Sequence, residues 1–100
     1  MKVLHKGYAG ELPYIIYEKL YKEPGKFRRL VYRVRVYDDE LTTPEILVEV
    51  YTGFDKRGSG YLLSGYLHTR KPTPQELEML RRHFPDEFEF LFGGLTLPCL

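Results

Sequence analysis

Four stretches rich in Val, Ile, Leu and Tyr constrain what this chain can fold into more than any other feature. They span residues 13–22, 28–37, 45–54 and 60–70. The breaks between them are short and hold turn-forming residues, with Pro24-Gly25 in the first break and Gly58-Ser59-Gly60 in the third. Because parallel strands need a crossover of about a dozen residues or more, breaks this short predict an antiparallel meander.

Matching side chains across the turns predicts a register for two of the hairpins. In the second hairpin, a turn centred on Leu41 sets apolar residues against each other and places Arg33 opposite Glu49. The predicted apolar pairs of this hairpin are Val36 with Ile46, Val34 with Val48, and Tyr32 with Val50. In the first hairpin the apolar match is best for Leu20 with Leu30, Ile16 with Val34, and Tyr14 with Val36.

The C-terminal third changes to a helical period. Thr73-Pro74-Gln75-Glu76 is typical of a capped helix start, and Leu77, Leu80 and Phe84 then fall on one helical face. We expect a second short helix after Pro85, ending at Gly93-Gly94. A strand is the alternative there, since Phe88, Phe90 and Phe92 alternate.

The predicted fold is therefore α+β, a four- to five-stranded antiparallel meander with one or two C-terminal helices on one face. We expect a single domain over residues 1–100, with the sheet in 1–70, the helical region in 71–94 and an apolar tail in 95–100. The helices are predicted to cover the side of the sheet that carries Leu20, Val34 and Val48.

The amino-acid composition indicates a growth temperature and a cellular compartment for the protein, and says less about its function. The chain has no Asn and a single Gln, Gln75, while 29% of its residues are charged, a pattern that favours a thermophile. The one cysteine, Cys99, cannot form an internal disulfide, which favours a cytoplasmic protein, including one made by a virus or mobile element in its host cell. No CxxC motif and no apolar run of membrane-spanning length occurs, so we expect no metal site, no cofactor and no membrane.

Charge is balanced overall but not along the chain. Residues 1–37 hold nine Lys/Arg and three Glu, a net +6, whereas residues 38–100 hold six Lys/Arg and eleven Asp/Glu, a net −5. Arginines and exposed tyrosines on a sheet suit DNA or RNA, because guanidinium groups contact phosphates and rings stack on bases. The hypothesis is a non-enzymatic nucleic-acid-binding module that uses the outer face of the sheet. Its predicted contact residues are Lys26, Arg28, Arg29, Arg33, Arg35, Tyr17 and Tyr21.

Three alternatives stay open at this stage. Arg33 and Glu49 can form an ordinary cross-strand ion pair on a solvated face. The apolar segment 95–100 can join two copies into a homodimer or a larger assembly. A metal-independent ribonuclease would use cations to steady a phosphate and a base to accept a proton. Its candidate residues are Arg33, Arg35, Tyr37 and His68.

Overall fold

The computed structural model describes residues 1–38, 41 and 44–93 and shows a five-stranded sheet followed by two helices. All neighbouring strands are antiparallel, in the order β1-β2-β3-β4-β5, so the predicted α+β meander is confirmed. The apolar tail 95–100 lies outside the described residues. The elements are β1 Lys2–Ala9, β2 Leu12–Glu23, β3 Lys26–Tyr37, β4 Glu45–Arg57, β5 Gly60–Arg70, α1 Pro74–His83 and α2 Pro85–Gly93.

Strand β1 is the element that the sequence pattern did not mark. Its eight residues include Lys2, Lys6 and Gly7, so the segment lacks the run of apolar residues that marks the other strands. A polar strand is tolerated here because β1 lies at the edge of the sheet, where charged side chains discourage pairing with other chains. The helix predicted after Pro85 is confirmed as α2.

The predicted register of β3 on β4 is confirmed, with Val34 opposite Val48 and Arg33 opposite Glu49. The predicted register of β2 on β3 is wrong by one residue, since Ile15 and not Ile16 lies opposite Val34. The turn explains the difference.

Glu23 pairs with Lys26, so the turn has two residues, Pro24 and Gly25. Proline fixes the backbone of the first, and Gly25 adopts a φ of 82°, which glycine reaches without strain. The apolar match would have required a three-residue loop, and the turn chemistry overrides it.

The main core lies between the helices and one side of the sheet, which we call the core face. Leu80 of α1 and Phe84 at its end pack against strand residues that are almost completely buried. The strand residues of this core are Ile15, Tyr17, Tyr32, Val34, Val36, Ile46, Val48 and Val50. Leu20, predicted on this side, instead lies opposite Arg29 on the other face and is 67% exposed, a consequence of the shifted register.

Helix α1 is held at its start by the predicted capping box. The Thr73 hydroxyl accepts a hydrogen bond from the Glu76 amide at 3.1 Å, and the Glu76 carboxylate accepts one from the Thr73 amide at 2.9 Å. The same carboxylate accepts hydrogen bonds from Arg70 at the end of β5. The Glu76 carboxylate therefore links the start of α1 to the end of β5 and holds the helices against the sheet. No helix among the described residues is long and apolar enough to cross a membrane.

The opposite side of the sheet, which we call the arginine face, carries Arg29, Arg33 and Arg35. Part of this face is also shielded from solvent. Ile16 and Val31 on this face have no exposed surface. Beyond Tyr51, β4 pairs with β5 alone, and this β4–β5 arm (residues 52–65) bends back until Tyr61 contacts Arg33.

Glycine makes that bend possible. The pairing of β4 and β5 shifts between Val50 and Tyr51, and Gly65 next to this bulge has a φ of 68°. A Cβ at Gly65 would overlap the hydroxyl of Thr52.

Replacing Leu80 with alanine tests the main core. Leu80 has no exposed surface, so Leu80→Ala should lower the free energy of unfolding by about 3 kcal/mol, measured by urea denaturation. Leu62→Ala is the matched control, because Leu62 is 51% exposed and should change stability by less than about 0.5 kcal/mol. Equal losses in the two variants would contradict this assignment of the core.

Candidate functional site

Arg33 is the centre of a polar network on the arginine face. Its Nε donates to Glu49 at 2.6 Å, and its two terminal nitrogens donate to Tyr61 at 3.1 Å and to Tyr51 at 3.4 Å. These partners come from β4 and β5, so one guanidinium connects three strands. Its fork of donors suits this arrangement, which a lysine ammonium could not reproduce.

Arg35 shares the same carboxylate. Its Nε lies 2.9 Å from Oε1 of Glu49, and Tyr51 also donates to that carboxylate at 3.5 Å. Two arginines facing one glutamate leave the cluster with a net charge of +1. The side chain of Arg35 is 35% exposed and that of Arg33 23%, so the positive charge remains within reach of a ligand.

The carboxylate between these arginines is held ionised. Burial alone would raise the pKa of Glu49, but the hydrogen bonds and charges of Arg33 and Arg35 outweigh it and hold the pKa below its usual range.

Aromatic rings close the side of this cluster. The ring of Tyr61 lies 5.2 Å from that of His5 and 5.7 Å from that of Tyr14, and His5 and Tyr14 share a hydrogen bond of 3.0 Å. Phe54 stacks on Tyr61 at 6.1 Å. Burial, followed by the neighbouring Tyr61, raises the pKa of Tyr14, so its hydroxyl stays protonated. The rings connect β5 to β1 and shield the interior of the curled sheet.

The sequence-predicted contact residues divide into two groups. Arg29, Arg33 and Arg35 do share one face of β3, as predicted. Tyr17 and Tyr21 were predicted beside them and lie on the core face instead, because the register is shifted by one residue. Tyr17 has no exposed surface, and Tyr21 directs its hydroxyl to that of Tyr32 at 2.7 Å.

The tyrosines hydrogen-bonded to Arg33 are Tyr51 and Tyr61. Tyr51 lies two residues beyond Glu49, where the predicted β3–β4 register also places it, near the arginines. Tyr61 is brought in by the bend of the β4–β5 arm, for which the glycines at 53 and 65 were the available signal.

The other predicted cations lie on a free-standing pair of strands. Pairing of β1 with β2 ends at Glu18, and pairing of β3 with β4 ends at Val31. Among the described residues, positions 19–30 therefore pair only with each other. We call this hairpin the β2–β3 arm. None of its residues is buried.

The β2–β3 arm concentrates positive charge and exposed apolar surface. It holds five basic residues and one acidic residue, a net charge of +4. Its acidic residue, Glu23, lies 3.8 Å from Lys26 and 4.0 Å from Arg28, and exposed pairs this long contribute little. Phe27 is 71% exposed and Leu20 67%. Neighbouring exposed apolar side chains on one surface are a feature of interaction sites.

The register sorts the arm's side chains onto two faces. Leu20 lies opposite Arg29 and Lys22 opposite Phe27, and these four share the side that continues into the arginine face. Glu18, at the base of the arm, pairs with Arg29 at 2.7 Å. Tyr21, Arg28, Glu23 and Lys26 share the other side.

The ribonuclease hypothesis loses part of its residue set. His68 lies opposite Val50, on the core face, away from Arg33. Tyr37 lies near Arg35, with its ring 5.7 Å from the guanidinium carbon. The histidine that does reach the arginine network is His5. Among the described residues no group of His, Cys, Asp and Glu is arranged to hold a metal ion.

Comparison with known proteins adds no further constraint. The chain matches no protein-family model, and neither a curated protein nor a solved structure is significantly similar to it.

Neutralising Glu49 tests the arginine network. Since the folded-state pKa of Glu49 lies below its unfolded value, its contribution is present above the unfolded pKa and is lost as pH falls through the folded pKa. Glu49→Gln should therefore lower the free energy of unfolding at pH 7, by about 2 kcal/mol. The difference from wild type should shrink as the pH falls below the usual carboxyl range.

Urea denaturation between pH 7 and pH 3 measures this dependence. Glu11→Gln, in the exposed β1–β2 turn, is the control and should leave stability nearly unchanged at every pH. A Glu49→Gln difference of the same size at pH 7 and pH 3 would show that the ionised carboxylate does not stabilise the fold.

Proposed function

We propose that the protein is a nucleic-acid-binding module and that the β2–β3 arm is its principal contact surface. The observation that carries the proposal is a hairpin with a net charge of +4 that extends beyond its neighbouring strands and exposes its cations. Lysine and arginine on such a projection can reach phosphates on a nucleic acid without any change in the rest of the sheet.

Arg33 and Arg35 extend the positively charged surface of the arm along the arginine face. They follow Arg29 along β3, so the positive charge continues from the arm toward the centre of the arginine face. Glu49 neutralises one of the two, and the remaining positive charge extends the surface available to phosphates. The overall charge of +1 does not oppose this function, because the acidic residues lie mainly in other parts of the chain.

Removal of three arm cations tests the proposal. Lys22→Gln, Lys26→Gln and Arg28→Gln combined should weaken binding to a fluorescein-labelled DNA duplex at least tenfold at low salt. The salt dependence should also weaken, with the slope of log K against log salt falling by about 3, because each lost phosphate contact removes about 0.9. Fluorescence anisotropy at several salt concentrations gives both quantities.

A second triple variant separates location from total charge. Lys71→Gln, Arg81→Gln and Arg82→Gln remove three positive charges from exposed positions after β5 and at the end of α1, away from the arm, so both triple variants have a net charge of −2. This control should bind within about threefold of wild type. Equal losses in the two variants, or no binding by wild type at low salt, would refute the proposal.

A further inference from the structure

The exposed apolar pair on the arm is unexplained by phosphate binding alone. Leu20 and Phe27 are diagonal neighbours on one side of the arm. Arg29 lies opposite Leu20, and Lys22 lies opposite Phe27. Both are more than two-thirds exposed. Phosphates are recognised by cations and hydrogen-bond donors, so an apolar pair flanked by two cations indicates a ligand that offers apolar surface beside its phosphates.

We infer that this side of the arm enters the major groove of B-form DNA, with Leu20 and Phe27 against the base edges and Lys22 and Arg29 toward the phosphates. The inference rests on the proposed function and names its ligand. Apolar side chains in that groove contact the C5-methyl group of thymine, the one apolar group on a base edge.

The dimensions of the arm fit this groove. Two paired strands lie about 5 Å apart, and the five residues of each strand extend about 17 Å. The major groove of B-form DNA is about 12 Å wide and about 8.5 Å deep, and it accepts a two-stranded ribbon. The major groove of an RNA duplex is too narrow and deep for side chains to read. The shape of the arm therefore favours duplex DNA.

Single strands fit this side of the arm less well. Sites for single-stranded nucleic acids stack successive bases on several aromatic rings. This side of the arm offers one ring, Phe27. The other ring of the arm, Tyr21, is on the opposite side and its hydroxyl is bonded to Tyr32.

Deoxyuridine, which lacks the C5-methyl group, provides the direct test. Wild type is titrated with an A·T-rich DNA duplex, the same duplex with every thymine replaced by deoxyuridine, the matching RNA duplex and one single DNA strand. We expect the thymine duplex to bind most tightly, with a loss of about fourfold for each contacted methyl group that is removed.

Substitutions assign that preference to the arm. Phe27→Ala should weaken binding to the thymine duplex about tenfold and reduce the preference for it, and Phe27→Ala combined with Leu20→Ala should bind the thymine and deoxyuridine duplexes with equal affinity. Leu20→Ala should act in the same direction. Leu62→Ala is the matched control, because Leu62 is 51% exposed on the other arm and should keep both the wild-type affinity and the preference for thymine. Circular dichroism verifies that each variant is folded.

The outcomes separate this inference from the proposed function. Equal binding of wild type to the thymine and deoxyuridine duplexes, or binding of the RNA duplex or the single strand as tight as that of the DNA duplex, would overturn the groove assignment and leave nucleic-acid binding standing. A full thymine preference that persists in the double variant of Leu20→Ala and Phe27→Ala would also overturn it, since the preference would then come from duplex shape. No binding to any of the four probes would reject both.

Discussion

The two-residue turn at Pro24-Gly25 is the constraint on which the rest of the molecule depends. It sets the register of β2 on β3, and a shift of one residue would move every side chain of β2 to the opposite face. In the observed register Tyr17 enters the core and Leu20 is exposed beside Arg29. The apolar surface of the β2–β3 arm is thus a consequence of turn chemistry as much as of strand composition.

The sequence predicts one register and misses the other for a physical reason. Between β3 and β4 the match of Val34 with Val48 and the match of Arg33 with Glu49 require the same pairing, so two independent signals agree. In β2 the consecutive residues Ile15, Ile16 and Tyr17 are all buried, because the helices cover one face and the β4–β5 arm closes the other. A strand that is apolar on both faces carries no alternation, and only the turn can set its register.

The sequence shows which segment carries the candidate site, but not how that segment is arranged in three dimensions. The dense basic stretch is visible in the sequence, and the structure places it on the β2–β3 arm and along the arginine face. The length of the arm depends on where β1 and β4 stop pairing, at Glu18 and Val31, which the sequence of the β2–β3 hairpin does not itself fix. The hydrogen bond between Tyr61 and Arg33 depends on the bend of the β4–β5 arm, and it is a tertiary contact rather than a strand pairing.

The proposed function assigns nucleic-acid contact to the β2–β3 arm. An NMR titration of the ¹⁵N-labelled protein with an unlabelled A·T-rich DNA duplex tests it most directly, because every backbone amide reports its own environment. The largest changes in amide chemical shift should fall within residues 19–30, with smaller changes at Arg33 and Arg35. Changes concentrated on α1 or on the β4–β5 arm, with residues 19–30 unaffected, would contradict it.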